Sequence, residues 1–192
     1  MVFPSFAELE HDALACTKCP LSETRTQVVF GVGDPTADLM FVGEGPGQQE
    51  DLQGEPFVGR AGQLLTKLIE GIGTTRADVY IANVLKCRPP GNRDPLPAEI
   101  EACHPYLAAQ IDFIDPRVVV TLGNFATKLL LETKEGITKL RGREFAFQDK
   151  SVLIPTFHPS AVLRNGGAAL AQARADFVVI KRVLARQRAA TA

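Results

Sequence analysis

The chain has 192 residues, 45% of them hydrophobic and 22% charged, with a formal net charge of −1. That length suits one well-buried domain spanning residues 1–192, and the composition excludes a disordered or collagen-like chain. No stretch approaches the roughly 20 apolar residues that cross a bilayer, and the acidic Glu8, Glu10 and Asp12 near the start speak against a signal peptide, so a cytoplasmic protein without a membrane partner is expected.

In chain order, a short helix is expected over residues 5–14, followed by the pair Cys16-x2-Cys19. An apolar run at 39–42 reads as a buried strand and leads into Gly43-Glu44-Gly45-Pro46-Gly47. Residues 62–72 place Leu64, Leu65, Leu68 and Ile69 on one helical stripe. A second strand at 79–83 ends in Asn83 and runs on to Cys87. The helix expected at 97–113 starts with Pro97 in its first turn and carries Cys103. A strand at 118–122, a helix at 124–131 and a strand at 152–156 follow, the last running into Phe157-His158-Pro159-Ser160. A helix at 168–184 comes next, and residues 187–192 are expected to be disordered. Strands without clean alternation, separated by helices, indicate an α/β fold with a mainly parallel sheet buried on both faces. Ligands of such sheets bind at the carboxyl ends of the strands. Three of the four strands deliver conspicuous polar segments there.

The near-zero net charge hides an asymmetry. Residues 1–116 carry 8 Lys/Arg against 17 Asp/Glu, whereas residues 117–192 carry 13 against 5. Arg141, Arg143, Arg164, Arg174, Lys181, Arg182, Arg186 and Arg188 lie in the second part. Such a cluster is either a nucleic-acid footprint or the solvated face of a C-terminal helix.

The four cysteines, Cys16, Cys19, Cys87 and Cys103, form one set of metal-ligand type. Structural disulfides are not expected in a cytoplasmic protein. Four thiolates satisfy a zinc ion or an iron–sulfur cluster; spacing alone does not separate the two, and zinc is the commoner generic occupant.

Taken in order, Cys16-x2-Cys19, Gly43-Glu44-Gly45-Pro46-Gly47-x2-Glu50-Asp51, Gly54-x-Pro56-Phe57-Val58-Gly59, Asn83-x3-Cys87-Arg88-Pro89-Pro90, Cys103 and His158-Pro159-Ser160 resemble the motifs of the family 4 uracil-DNA glycosylases. The resemblance implies a three-layer α/β/α sandwich around a four-stranded parallel sheet, a [4Fe–4S] cluster on the four cysteines, and DNA containing uracil, single- or double-stranded, as substrate. A sister group traps such DNA covalently through a histidine in a basic insert. The segment Pro89-Pro90-Gly91-Asn92-Arg93-Asp94-Pro95 lacks that insert, and Gly45 stands where that group has a larger polar residue, so turnover is expected. A non-catalytic or trapping uracil-DNA binder and an iron–sulfur redox protein are the alternatives. A monomer is expected, and the sequence identifies no protein partner, a sliding clamp included.

The chemistry of that family sorts the residues. Cleaving a deoxyuridine N-glycosidic bond develops positive charge on the sugar and negative charge on the departing base. Glu44 is the candidate for the sugar side and the attacking water, with Gly45 allowing close approach of the ligand. His158 is the candidate for stabilising charge on uracil O2. The Asn83 carboxamide matches uracil N3–H and O4. Phe57 is the candidate stacking surface for an extruded base, and Glu50 a candidate wall against the methyl group of thymine. Asn92 is a candidate for backbone or water contact. The run 161–164 reads as a loop entering the minor groove, with Leu163 as wedge and Ser160 and Arg164 on flanking phosphates; alternatively, Leu163 begins the next helix and packs.

Overall fold

A computed structural model describes residues 2–190. Helix α1 (Phe6–Leu14) starts at Ser5, whose hydroxyl accepts from the Glu8 N–H. The chain continues through α2 (Leu21–Thr24), β1 (Val32–Gly33), β2 (Leu39–Gly43), α3 (Gln48–Gln53), α4 (Arg60–Gly71) and β3 (Tyr80–Asn83). Then come α5 (Pro97–Ile114), β4 (Val118–Leu122), α6 (Asn124–Leu130), α7 (Ile137–Leu140), β5 (Phe145–Phe147), β6 (Ser151–Thr156), α8 (Pro159–Asn165) and α9 (Gly167–Ala189).

The sheet has six strands in the order β1-β3-β2-β4-β6-β5. Its centre, β3-β2-β4-β6, is parallel and consists of the four strands expected from the apolar runs. The four-stranded expectation is extended by β1 and β5, which add antiparallel at the two edges. These edges are two and three residues long, too short to leave a periodic signal. From β2 the chain crosses to β3 on one side and then returns to β4 on the other, so the connections diverge between β2 and β4. In parallel sheets that divergence opens a crevice at the carboxyl ends.

Alternate strand residues face opposite layers. Leu39, Phe41, Val118 and Val120 pack with Leu65 and Ile69 of α4 and Phe177, Ile180 and Val183 of α9. Met40, Val42 and Val119 pack on the other face with Leu107 and Ile111 of α5 and Ala126 of α6. The result is the expected α/β/α sandwich. A smaller cluster of Leu9, Ala13, Phe30 and Tyr106 fastens α1 to α5.

Three features differ from expectation. The segment after His158 is the helix α8 rather than a loop, begun by Pro159 at its first position, where a missing N–H costs nothing. Residues expected to be disordered are partly ordered: α9 continues to Ala189, and residues 191 and 192 lie outside the described part. Much of the basic C-terminal charge is spent internally. Arg182 and Arg186 pair with Glu144, Arg188 with Asp38, and Arg141 with the buried Asp176. Arg182, Arg186 and Arg188 lie on α9 and stay largely solvated, as the reading of a solvated helix face expects, whereas Arg141 lies outside that helix and is mostly buried in its pair. Among the described residues, no helix is long and apolar enough to cross a membrane.

Candidate active site

All four parallel strands end at one cavity of about 560 Å3. Glu44 and Gly45 reach it from β2, Asn83 from β3, Gly123 and Asn124 from β4, and Phe157 and His158 from β6. The sequence pointed to three of these strand ends; the fourth, Gly123-Asn124, completes the ring. Glu50, Phe57, Asn92, Ser160 and Arg164 also line the cavity. Leu163 does not; it is 44% exposed on α8, beside Arg164.

The floor is built around a missing side chain. A Cβ on Gly43 would stand 2.4 Å from Asn83 Oδ1 and 2.5 Å from Cζ of Phe57. Glycine at the end of β2 therefore lets the carboxamide and the ring meet beneath the cavity. Asn83 is 2% exposed, and its Oδ1 has no hydrogen-bond donor among the described residues. A buried acceptor without a partner is costly and is well placed to receive a ligand N–H.

Phe57 is buried and adopts the left-handed backbone conformation, with φ of 57°. Neighbours impose this. Glu50 Oε1 accepts the N–H groups of Val58 at 3.1 Å and Gly59 at 3.3 Å, and a Cβ on Gly62 would collide with the Phe57 carbonyl oxygen at 1.6 Å. Arg76 donates to the Pro56 carbonyl from behind. Glu50 thus faces the cavity but uses one carboxylate oxygen to shape the turn that presents Phe57. The Phe57 and His158 rings lie 5.6 Å apart between centroids.

His158 caps α8. Its Nδ1 accepts the Ser160 N–H at 3.2 Å and lies 2.7 Å from Ser160 Oγ. Burial, reinforced by Arg164 and opposed by Glu50, lowers its pKa to about 4. The ring is therefore neutral near pH 7, and a neutral ring with Nδ1 as acceptor carries its proton on Nε2. In the same cavity, burial and then the charge of Asp94 push the half-buried Glu44 carboxyl above its ordinary range.

Pro89 and residues 92–95 supply a further part of the wall, of which the sequence marked only Asn92 as a candidate contact. A bidentate pair between Arg93 and the buried Glu99, at 2.6 and 2.9 Å, holds this wall, and Glu99 also accepts the Leu96 N–H at 2.8 Å. Asn92 Oδ1 accepts from Arg88 Nε at 2.6 Å. The signal was an arginine and a glutamate six residues apart around a helix start, which reads equally well as a surface pair.

Cys16, Cys19, Cys87 and Cys103 line a second, small cavity of about 20 Å3, together with Arg25, Leu85, Lys86 and Tyr106. Cys16 follows α1, Cys19 precedes α2, Cys87 follows β3 and Cys103 lies on α5. All four are free thiols. Two sulfurs meet donors: Arg25 Nη1 at 3.3 Å from Cys87 Sγ, and the Lys86 N–H at 3.2 Å from Cys103 Sγ. Burial raises the thiol pKa of both, Cys103 to about 11. Among the described residues, no three His, Cys, Asp or Glu side chains close around a single ion.

Residues 30–181 match the model of the uracil DNA glycosylase superfamily. The chain belongs to that superfamily, in its type-4 family. It is 52% identical over 151 residues to a type-4 uracil-DNA glycosylase of Thermotoga maritima, covering 78% of this chain and 79% of that protein. Identity to a type-4 uracil-DNA glycosylase of Sulfurisphaera tokodaii is 47% over 169 residues, covering 84% and 77% of the two chains. A third, from Archaeoglobus fulgidus, is 45% identical over 166 residues, 83% of each chain. The family membership accounts for a cavity at the carboxyl ends of the parallel strands and makes its polar residues the place to look for the chemistry.

Proposed function

We propose that the chain is a DNA repair hydrolase that cleaves the N-glycosidic bond of deoxyuridine in DNA, releasing uracil and leaving an abasic site. The observation that carries this reading is the orphaned Asn83 Oδ1 in a cavity shared with Glu44 and His158. A uracil turned out of the helix presents N3–H to that oxygen and O4 to the carboxamide N–H2. Cytosine presents an acceptor at N3, which would face the Asn83 oxygen lone pairs, and is disfavoured. Phe57 gives the base its stacking surface, worth roughly 1–3 kcal/mol.

The bond from C1′ to N1 breaks with its electron pair leaving on uracil, where the charge spreads to O2. The Nε2–H of His158 donates to that oxygen as charge accumulates. On the sugar side, the Glu44 carboxylate balances the cationic C1′ and takes a proton from the water that adds there. Ser160 and Arg164 serve flanking phosphates, and Leu163, exposed on α8 beside Arg164, fills the space the nucleotide leaves.

The four cysteines hold a [4Fe–4S] cluster in this reading. Supporting it are four free thiols around one cavity rather than at one point, and N–H donors aimed at two of the sulfurs, a usual feature of cluster ligands. When bound, the cluster supplies a rigid cross-link between α1, the segment after β3, and α5.

The deciding experiment incubates the purified protein with single- and double-stranded oligonucleotides that contain one deoxyuridine, and quantifies free uracil and iron. Release of uracil with about four irons per chain is expected. Glu44→Gln and His158→Ala should slow release by roughly 10²–10⁴-fold while binding is kept. A stable complex without released base would establish a binding module instead.

A further inference from the structure

Lys86 is 2% exposed, and its ammonium donates to two neutral acceptors, the Asn83 carbonyl at 2.8 Å and Gln110 Oε1 at 2.5 Å. The side chain thus tethers the end of β3 to α5. Lys86 lines the cysteine cavity, precedes Cys87, and donates its own backbone N–H to Cys103 Sγ at 3.2 Å.

The same segment reaches the active site. Val84 and Leu85 donate their N–H groups to the carbonyls of Gly43 and Glu44, at 2.9 and 3.0 Å. Five consecutive residues thus run from the amide beneath the base to a cluster ligand and hold the backbone of Glu44 on the way. Gln110 is itself anchored, donating from Nε2 to the Phe30 carbonyl at 2.9 Å and to the Tyr80 hydroxyl at 3.2 Å. Its Oε1 is thereby turned toward Lys86.

We propose that Lys86 is a positioning residue: its buried side chain, held by Gln110, ties down the end of β3 through the Asn83 carbonyl so that Asn83 faces the base. The inference rests on the role given above to Asn83. Lys86 touches neither substrate nor reacting atoms; it acts through the Asn83 carbonyl.

Four proteins test this: the wild type, Lys86→Met, Lys86→Arg and Gln110→Leu. Each is assayed for iron per chain, for single-turnover uracil release, and for discrimination between uracil- and cytosine-containing oligonucleotides. Lys86→Met removes the tether and should release uracil at least roughly tenfold more slowly and discriminate less well, with iron at the wild-type level. Lys86→Arg keeps a donor on a long stem and should recover part of the discrimination. Gln110→Leu loosens the tether and should discriminate poorly with full iron. Wild-type discrimination in Lys86→Met would overturn the proposal, as would a loss of discrimination there that only tracks lost iron. If Lys86→Met aggregates, Gln110→Leu decides, and unchanged discrimination there overturns it. A wild type that releases no uracil defeats the functional reading instead, and the tether is then tested by the binding of uracil- against cytosine-containing oligonucleotides to the same variants.

Discussion

The Ser160 N–H donates to Nδ1 of His158 at 3.2 Å, which makes Nε2 the proton-bearing nitrogen of the neutral ring. With the His158 pKa lowered to about 4 by burial and Arg164, that neutral donor persists at every pH where the Glu44 carboxylate is ionised. In the proposed mechanism Glu44 works as the anion, and burial together with Asp94 holds its pKa above 4.5. As pH falls, protonation of Glu44 is therefore the first loss. The expected profile of kcat/KM falls on the acid side through a pKa above 4.5, with no step due to histidine. Asp94→Asn should move that limb to lower pH. A limb that disappears in His158→Asn would reverse the assignment.

The same histidine makes folding pH-dependent. Its folded pKa, about 4, lies below the ordinary 6.5, so the unfolded chain takes up a proton that the folded pocket refuses. The resulting stability is present above pH 6.5 and is lost as pH falls toward 4. His158 is half-buried, so the effect is discounted for solvent screening to on the order of 1 kcal/mol between about pH 8 and pH 5. Urea unfolding at the two pH values, for wild type and His158→Asn, measures it. An equal loss in both proteins would show that His158 contributes nothing.

What could be read in advance follows from what is local. The central strands are continuous apolar runs because both faces are covered, and Glu44, Asn83 and His158 stood out because each follows such a run. The wall at 89–95 has no periodicity of its own; the Arg93–Glu99 pair and its packing on α5 create it. The pairing of Arg182 and Arg186 with Glu144 likewise depends on the residue just before β5 meeting α9, which nothing in either segment announces. Lys86 sits between an asparagine and a cysteine of evident interest, yet only burial shows that its charge is turned inward.

Two glycines should separate pocket geometry from stability. Gly43→Ala places a methyl group against two movable side chains, Asn83 and Phe57. The fold can yield there, but the Asn83 amide and the Phe57 ring, proposed to read and stack the base, shift by a fraction of an ångström or more. Uracil release should fall roughly 10²-fold, with thermal stability only modestly reduced. Gly62→Ala instead drives its methyl group into the Phe57 backbone carbonyl, and α4 must separate from the turn. That variant should lose several degrees of Tm along with activity. Comparable melting losses in the two would refute the distinction.

Leu163 offers the cleanest separation of DNA handling from chemistry. It is 44% exposed, makes no part of the cavity wall, and sits one residue before Arg164, which does. Truncating an exposed leucine costs the fold less than about 0.5 kcal/mol, so Leu163→Ala should melt like the wild type. A wedge matters only where a partner strand and neighbouring base pairs would otherwise reclaim the nucleotide. Release from double-stranded DNA should therefore fall roughly tenfold, while release from a single-stranded oligonucleotide stays within about twofold. Equal losses on both substrates would place Leu163 in general DNA contact, and no loss on either would leave the space behind the extruded nucleotide to be filled by another part of the rim.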